Sequence, residues 1–233
     1  NENNKEELVY ATSWGVSTRL VGALIMVHGD DKGLRLPPKV APVQIVIIPI
    51  IKNEDDLVKI REFLKPLIND LEEKNIRFKL DDRLKVSPGF KFNEWEMKGV
   101  PIRVEVGPRD MEGGTVLCAR RDTGEKESFN VTTSGEKLIR LLDEIQENLY
   151  NQALEFREKN TFSADTYEEF KSLVEAGGFI KCGWDGNADS ETAVKSETKA
   201  TIRCILQDEN IDGLQCIYSD NPAKYVVIFA RAY

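Results

Sequence analysis

The residue types and spacing best suited to chemistry occur near the start of the chain. A turn of small and polar residues with one indole ring contains Ser13, Trp14, Gly15 and Ser17. Arg19 follows, directly before an apolar segment, and a guanidinium held at such a junction can make a bidentate contact with a phosphate. The small side chains leave room for a ligand, and the indole offers it a flat apolar wall. Taken alone, the pattern favours a structural ion pair for Arg19, and the alternative is a phosphate site.

A second concentration of charge lies between residues 77 and 121, where ten basic side chains accompany seven acidic ones. The whole chain of 233 residues has the opposite balance, with 32 basic and 40 acidic residues and a net charge of −8. By itself, this local basic surplus favours a solvated face that binds nothing. The alternative is a surface for a polyanion such as RNA.

Composition excludes several classes of site. His28 is the one histidine, so zinc sites of three histidines and proton transfer between two histidines are excluded. The four cysteines are widely spaced, which favours reduced thiols in a cytosol. The usual phosphate-binding and dinucleotide-binding glycine motifs are missing. No apolar run approaches the length needed to cross a bilayer, and the polar start, which lacks Met, predicts no secretory signal and a processed or cut terminus.

Periodic patterns between residues 41 and 150 predict the elements that position the basic residues. A β-branched run at 43–51 predicts a strand buried on both faces, and Asn53 is placed to cap the helix after it. Alternation at 101–106 predicts a strand with one exposed face. The other predicted elements are a short strand at 76–80, a hairpin of 115–121 with 128–132, and a helix from Ser134. Residues 77–98 are predicted as a long surface loop or a short helix.

Three pieces follow from these patterns. Residues 1–40 are neutral, residues 41–150 form a mixed-sheet α/β domain, and residues 151–233 form a small α+β domain. In the last piece we expect a helix over 165–176, a glycine turn, and short strands that include 200–206 and 225–230.

Long blocks of the sequence resemble one family. The three blocks are SWGVSTRLVGALIMVHGDDKGLRLPPKVAPVQIVIIPI, KFNEWEMKGVPIRVEVGPRD and NPAKYVVIFARAY. Together they resemble the C-terminal part of the prolyl-tRNA synthetases of the eukaryotic and archaeal-like type, which belong to class II. The resemblance implies that residues 1–40 end a catalytic domain, that 41–150 bind an anticodon, and that 151–233 form a C-terminal domain.

The resemblance also implies roles for the first cluster and for the last residue. Arg19 matches the motif 3 arginine that contacts ATP phosphate, with Ser17 beside it, and the proline pocket is matched by Ser13, Trp14 and Gly15. Tyr233 resembles a C-terminal residue directed toward the active site, and its alternative is an ordinary strand end. For His28 we favour a buried hydrogen-bonding role at the domain junction.

In the middle domain, the resemblance places Glu105, Arg109 and Asp110 on the part that faces the anticodon. Proline anticodons share two guanines, whose N1–H and N2–H₂ groups can donate to a carboxylate and whose O6 and N7 accept from arginine. Unstacked bases can also stack on aromatic or guanidinium groups. Glu105 and Arg109 are the preferred candidates, and the predicted helpers are Trp95, Lys98, Arg120 and Arg121. For each residue the alternative is a surface salt bridge.

The C-terminal piece departs from the family in its cysteines. Many relatives carry two cysteine pairs that bind structural zinc, but here Cys182 and Cys216 remain while their partner positions fall near Asn187 and at Tyr218. A structural zinc site needs a closed tetrahedral set. We therefore predict no zinc, with packing in its place. Cys204, Asp185 or His28 could donate, but no spacing requires it.

The function implied for the full-length protein is that of a proline–tRNA ligase. It would activate proline with ATP and magnesium and transfer it to tRNA(Pro), as a cytoplasmic homodimer without a membrane partner. Motifs 1 and 2 are missing from these residues, so we expect the present chain to be the tRNA-binding part and inactive alone. One alternative is a non-catalytic RNA-binding or regulatory module derived from a synthetase. A weaker one is an α/β small-molecule binder, which no phosphate-cradling glycine loop supports.

Overall fold

The computed structural model describes residue 2, residues 4–51 and residues 53–232. The chain forms two compact units, residues 1–150 and residues 151–233. The predicted fold class is confirmed, because both units combine helices with a mixed sheet. The division of the first unit at residue 40 stays a prediction. Among the described residues, no helix combines the length and apolarity that crossing a lipid bilayer requires.

The first helix, α1 (Arg19–His28), follows a stretch without regular structure at residues 5–17. None of its residues is buried, and its exposed apolar side chains include Leu20, Met26 and Val27. The connecting segment after it is attached to the rest of the unit. There the N–H groups of Leu34 and Leu36 donate to the carbonyls of Met97 and Gly99, at 3.0 and 3.1 Å.

A five-stranded sheet organises the first unit. Its strands are β1 (Ile45–Pro49), β2 (Phe78–Leu80), β3 (Ile102–Val106), β4 (Thr115–Arg120) and β5 (Lys126–Asn130). The order is β2-β1-β3-β4-β5. Strand β1 is parallel to β2 and β3, whereas β3 with β4 and β4 with β5 are antiparallel. The predicted strands and hairpin are confirmed, but the exposed face expected for β3 is wrong, because Glu105 is buried and Arg103 is partly buried.

Two long helices cover one face of this sheet. Helix α2 (Glu54–Glu73) is capped by Asn53, whose side chain accepts a hydrogen bond from the Asp56 N–H at 2.9 Å, as expected from the sequence. Helix α5 (Ser134–Lys159) follows β5 and supplies Leu138, Leu142, Ile145 and Leu149 to the core. Their apolar stripes pack on alternate residues of the strands, among them Ile45, Ile47, Ile102, Val104, Val116 and Cys118.

The opposite face is divided between a third helix and an open region. Helix α3 (Pro88–Met97) packs Trp95 against Val46, Ile48 and Val100, so the helical alternative for residues 77–98 holds in part. Because side chains alternate along a strand, Arg103 and Glu105 lie on this face while Ile102 and Val104 lie in the core. A short helix, α4 (Pro108–Gly113), then leads from β3 to β4.

The second unit has a four-stranded sheet of order β6-β7-β9-β8. Its elements are β6 (Thr161–Ser163), α6 (Tyr167–Ala176), β7 (Phe179–Trp184), α7 (Ala188–Thr198), β8 (Ala200–Leu206) and β9 (Tyr225–Arg231). Strand β6 is parallel to β7, and β9 is antiparallel to β7 and β8. Phe170, Ile180, Val194, Val227 and Phe229 form its core. Helix α7 was not predicted, because polar Ser190 and Thr198 occupy two of its buried positions.

Candidate nucleic-acid interface

The open half of the first sheet carries a cluster of charged side chains. Arg103 on β3 lies opposite Ala119 on β4, and Ala119 lies opposite Lys126 on β5. The small alanine therefore separates two long cationic side chains in one row. In the next row, Glu105 lies opposite Leu117. We call Arg103, Glu105 and Lys126 the sheet-face cluster.

Glu105 is the centre of the sheet-face cluster. Its Oε1 accepts from Arg103 Nε at 3.0 Å and lies 2.9 Å from Arg103 Nη2 and 3.4 Å from Lys126 Nζ. The residue is only 5% exposed, whereas the Lys126 side chain is about half exposed at 49%. The Arg103 guanidinium also lies over the Phe92 ring of α3, 4.4 Å from its centroid. The cluster thus presents one buried carboxylate behind two cations.

A cavity of about 230 Å³ opens beside the sheet-face cluster. Its lining includes Arg103 and Lys126 from the cluster, Trp95 and Glu96 from α3, and Arg121 at the end of β4. Pockets for drug-sized ligands measure about 300–1,000 Å³. This smaller, mainly cationic cavity therefore suits a fragment such as one nucleobase next to its phosphate, rather than a whole cofactor.

Of the two predicted residues after β3, Arg109 is available to a ligand and Asp110 already has a hydrogen-bond partner. Arg109 is exposed in the first turn of α4 and forms no hydrogen bond or ion pair with the described part of the chain. Its neighbour Asp110 accepts a hydrogen bond from the Gly107 N–H at 2.7 Å and so caps the start of α4. Arg109 is thus free for a ligand, while the Asp110 carboxylate already has a local partner.

Trp95 and Lys98 are placed differently from what base stacking requires. Trp95 is 7% exposed, and its Nε1–H donates to Asp81 Oδ2 at 2.8 Å. Lys98 Nζ lies 4.7 Å from the centroid of that ring and donates to Glu94 Oε1 at 2.7 Å. The structure therefore places the Trp95 ring in the core between α3 and the sheet, with Lys98 as its cover.

Arg120 ends β4, Arg121 follows it, and both form ion pairs. Arg120 donates from Nε and Nη2 to the two carboxylate oxygens of Asp122, at 3.0 and 2.8 Å. Arg121 donates from Nη1 and Nη2 to Asp30 at 2.8 and 2.5 Å, which holds the connecting segment after α1. The hydrogen bonds from Arg121 lower the pKa of Asp30 to about 2, against a smaller raising effect of burial. These two arginines are largely engaged within the protein.

The sequence interpretation missed several residues of this surface. Arg103 and Glu105 share a face by simple alternation, so Arg103 could have been found from PIRVEV. Lys126 could not, because its place depends on the β4–β5 register. Phe92 and Glu96 depend on where α3 packs, which no local pattern fixes.

The first cluster predicted from the sequence is not assembled into a cleft by the described residues. Ser13, Trp14, Gly15 and Ser17 are exposed in the stretch without regular structure, and Arg19 is exposed at the start of α1. The backbone N–H of Arg19 donates to Ser17 Oγ at 3.4 Å. His28 is partly buried, and both its burial and nearby Arg35 lower its pKa. Tyr233 lies outside the described residues.

The residues at the family's zinc positions do not fit a metal site. Cys182 and Cys216 are buried, and burial raises the pKa of the Cys182 thiol to about 12. Asn187 instead accepts from the Asp189 N–H at the start of α7, and the Tyr218 hydroxyl donates to Glu197. Across the described residues, no group of three or more His, Cys, Asp or Glu side chains could hold a metal ion.

A hydrogen-bond network occupies this part of the second unit. Asp185, which is buried directly after β7, accepts from the hydroxyls of Ser190 and Ser219 at 2.7 Å each and from the Asn187 N–H at 3.0 Å. Burial alone would raise the pKa of Asp185, but these hydrogen bonds lower it to about 2. Asp185 thus links the loop before α7 to the loop before β9, which is a link of the kind that a structural metal would make.

Comparisons with known proteins cover both units. Residues 44–145 match a family model described as "Anticodon binding domain", and residues 167–233 match "Prolyl-tRNA synthetase, C-terminal". A protein of Azobacteroides pseudotrichonymphae named "Proline--tRNA ligase" is 49% identical over all of this chain and 47% of its own length. Proteins of that name from Cytophaga hutchinsonii and Roseiflexus castenholzii are 51% and 48% identical, over 97% and 100% of this chain and 46% and 49% of their own lengths. The chain therefore spans about half the length of the curated relatives it matches.

Proposed function

The chain corresponds to the C-terminal portion of the prolyl-tRNA synthetase family, and from this premise we propose that it binds the anticodon of tRNA(Pro) for a full-length proline–tRNA ligase. The observation that carries the proposal is the sheet-face cluster beside its cavity. It lies within residues 44–145, the segment that matches the anticodon-binding model.

The chemistry of the cavity suits guanine. The remaining N–H groups of Arg103 and the ammonium of Lys126 can donate to guanine O6 and N7 or to a phosphate. The Glu96 carboxylate, which lines the same cavity and is 3.6 Å from the exposed Lys32, can accept from guanine N1–H and N2–H₂. Arg109 does not line this cavity, but it adds an exposed guanidinium in the first turn of α4. A site with both donors and an acceptor distinguishes guanine from adenine, because adenine has an amino donor at position 6 where guanine has the O6 acceptor.

The catalytic half of the proposal depends on the resemblance of residues 13–19 and of Tyr233. We propose that Arg19 and Ser17 contact ATP and that Ser13, Trp14 and Gly15 line the proline pocket in the full-length enzyme. Tyr233 would be directed toward that site, and magnesium would accompany ATP. The exposure of these residues in the present chain is consistent with a surface that a further part of the enzyme covers.

The remaining properties are proposed at the level of the whole protein. We propose a cytoplasmic homodimer of the eukaryotic and archaeal-like type, on the strength of the sequence blocks and of the C-terminal domain that follows the anticodon-binding domain. The relatives named above are bacterial, so this type would not be confined to eukaryotes and archaea. A phylogeny of full-length sequences tests the assignment.

A binding experiment tests the anticodon proposal. Fluorescence anisotropy would compare transcripts of tRNA(Pro) with transcripts in which the two shared anticodon guanines are replaced by adenines. Each base-specific contact contributes about 1–3 kcal/mol, so we expect the replacement to weaken binding at least roughly tenfold. Equal affinity for the two transcripts would contradict anticodon recognition and would favour a module that binds RNA by charge alone.

A further inference from the structure

We propose that Glu105 is a positioning residue, which fixes Arg103 and Lys126 for the anticodon rather than reading a base itself. The inference rests on the proposed function of the sheet-face cluster. It differs from the role expected from the sequence, in which the Glu105 carboxylate accepts hydrogen bonds from guanine.

The geometry of the carboxylate supports positioning. To read a guanine, a carboxylate must offer its oxygens to N1–H and N2–H₂ in the plane of the base. Oε1 of Glu105 is instead already contacted by Arg103 Nε, Arg103 Nη2 and Lys126 Nζ at 3.0, 2.9 and 3.4 Å. With the residue 5% exposed, a base would have to displace at least one cation to reach that oxygen.

The surroundings of Arg103 show what the carboxylate controls. The guanidinium is held by Glu105 on one side and lies over the Phe92 ring on another, 4.4 Å from its centroid. Two independent contacts therefore fix the plane of a side chain that otherwise has several rotatable bonds. Since a fixed fork loses less entropy when it binds, a held Arg103 recognises a base edge better than a free one.

The position of Glu105 within the sheet holds its carboxylate rigidly. Glu105 lies on β3, which pairs with β1 on one side and β4 on the other. Arg103 is on the same strand and Lys126 is on β5, so one carboxylate spans three adjacent strands. Its charge also offsets one of the two positive charges, which lets both cations lie close together.

Three roles of Glu105 predict different effects of Glu105→Gln on affinity for tRNA(Pro). If Glu105 only contributes negative charge to the field, its neutralisation strengthens binding. If it reads a base, the variant weakens binding whether or not Arg103 is present. If it positions Arg103 and Lys126, the variant weakens binding in the wild-type chain and weakens it much less once Arg103 is replaced by methionine, because only the Lys126 contact is then left to lose.

The test is a double-mutant cycle on the full 233-residue chain, measured by fluorescence anisotropy with the tRNA(Pro) transcript. We expect Glu105→Gln to weaken binding about tenfold in the wild-type background, within the range for coupled neighbours, and by less than about threefold in the Arg103→Met background. Equal losses in both backgrounds, or a gain in affinity, would overturn the positioning role.

Two further measurements separate positioning from misfolding and from failure of the proposed function. Glu127→Gln is the matched control and should leave affinity for tRNA(Pro) unchanged. Glu127 is exposed and follows Lys126 on β5, and its own partner on β4 is Cys118, which faces the core. In ¹⁵N NMR without RNA, the Arg103 Nε–H signal is assigned by its loss in Arg103→Met. Glu105→Gln should shift or broaden that signal. The midpoint of thermal unfolding should stay within a few degrees of the wild-type value. An unchanged signal overturns the inference even if tRNA binding is shown. A wild-type chain that does not discriminate the anticodon guanines contradicts the proposed function instead.

Discussion

At the scale of single residues, the cations of the first unit differ in what they are free to do. Arg120 and Arg121 use most of their donors within the protein, on Asp122 and Asp30. Arg103 has its Nε and one Nη on a single oxygen of Glu105, which leaves other N–H groups toward the cavity. Arg103 is therefore the arginine of this face best placed to contact RNA directly.

Replacing Arg103 by methionine tests this assignment. The variant removes a fixed fork of donors while keeping an unbranched side chain, and we expect affinity for tRNA(Pro) to fall by roughly ten- to a hundredfold. Filter binding of the tRNA(Pro) transcript measures it. Arg157→Met, at an exposed residue in the last turn of α5, is the control. A loss of similar size in both variants would indicate a general charge effect.

A second residue-scale feature is the buried pair of Asp81 and Lys91, each 2% exposed. Lys91 Nζ donates to the Asp81 carbonyl at 2.9 Å and lies 3.7 Å from Oδ1, while Arg83 and Trp95 donate to the same carboxylate. Burial would raise the pKa of Asp81, but the hydrogen bonds from Arg83 and Trp95 and the charge of Lys91 hold that pKa well below its usual value. The pair connects the end of β2 to α3.

Asp81→Ala should therefore be strongly destabilising. It leaves the Lys91 ammonium buried without its counter-charge, and we expect the free energy of unfolding to fall by about 3–5 kcal/mol. Urea denaturation followed by tryptophan fluorescence measures the change. Asp82→Ala is the adjacent control, because Asp82 pairs with Arg61 at the surface and should cost at most about 1 kcal/mol. Similar costs for the two variants would refute the importance of the buried pair.

At the scale of elements, the loops around α7 and before β9 depend on one carboxylate. Asp185 has a folded pKa of about 2, below its ordinary value of 3.8. A lowered pKa means that the group stabilises the fold fully above about pH 3.8 and loses this contribution as the pH falls toward 2. We therefore expect the stability of the second unit to fall in acid through the protonation of this carboxylate, and not through a change in its apolar core.

Asp185→Asn tests the network. The variant keeps the shape but cannot accept as many charge-assisted hydrogen bonds, and we expect a loss of about 2 kcal/mol at pH 7 that shrinks at pH 2–3. Thermal unfolding at several pH values measures it. The exposed Asp189→Asn, in the first turn of α7, is the control. A pH-independent difference between Asp185→Asn and the wild-type chain would exclude an electrostatic origin.

Some elements could be predicted from the sequence and others could not, for physical reasons. Strand β1 is a continuous apolar run and helix α2 has a strong apolar period, and both match their burial, so local pattern and tertiary structure agree. Helix α7 buries Ser190 and Thr198 through hydrogen bonds, and such positions are not apolar in sequence. In the same way, Glu105 was found from its block, whereas its partner Lys126 depends on a strand register fixed only in the folded sheet.

At the scale of the whole molecule, the overall charge opposes RNA binding while the sheet face favours it. The net charge is −8, so attraction must come from a few local cations. If Arg103, Arg109 and Lys126 each contact a phosphate, the slope of log affinity against log salt is about −2, from about −0.7 per contact with single-stranded RNA. Affinity should then fall roughly fifteen- to twentyfold between 50 and 200 mM salt. A flat response would contradict the basic surface.

The burial of the thiols has a practical consequence. Cys118, Cys182 and Cys216 are almost fully covered, and burial raises the pKa of Cys118 and Cys182 to about 12. Cys204 on β8 is exposed. A maleimide dye added to the native chain should therefore attach once, at Cys204, as intact-mass spectrometry would show. Cys204 is thus a natural single site for fluorescent labelling on the second unit. It is remote in sequence from the sheet-face cluster, whose RNA binding the dye would report.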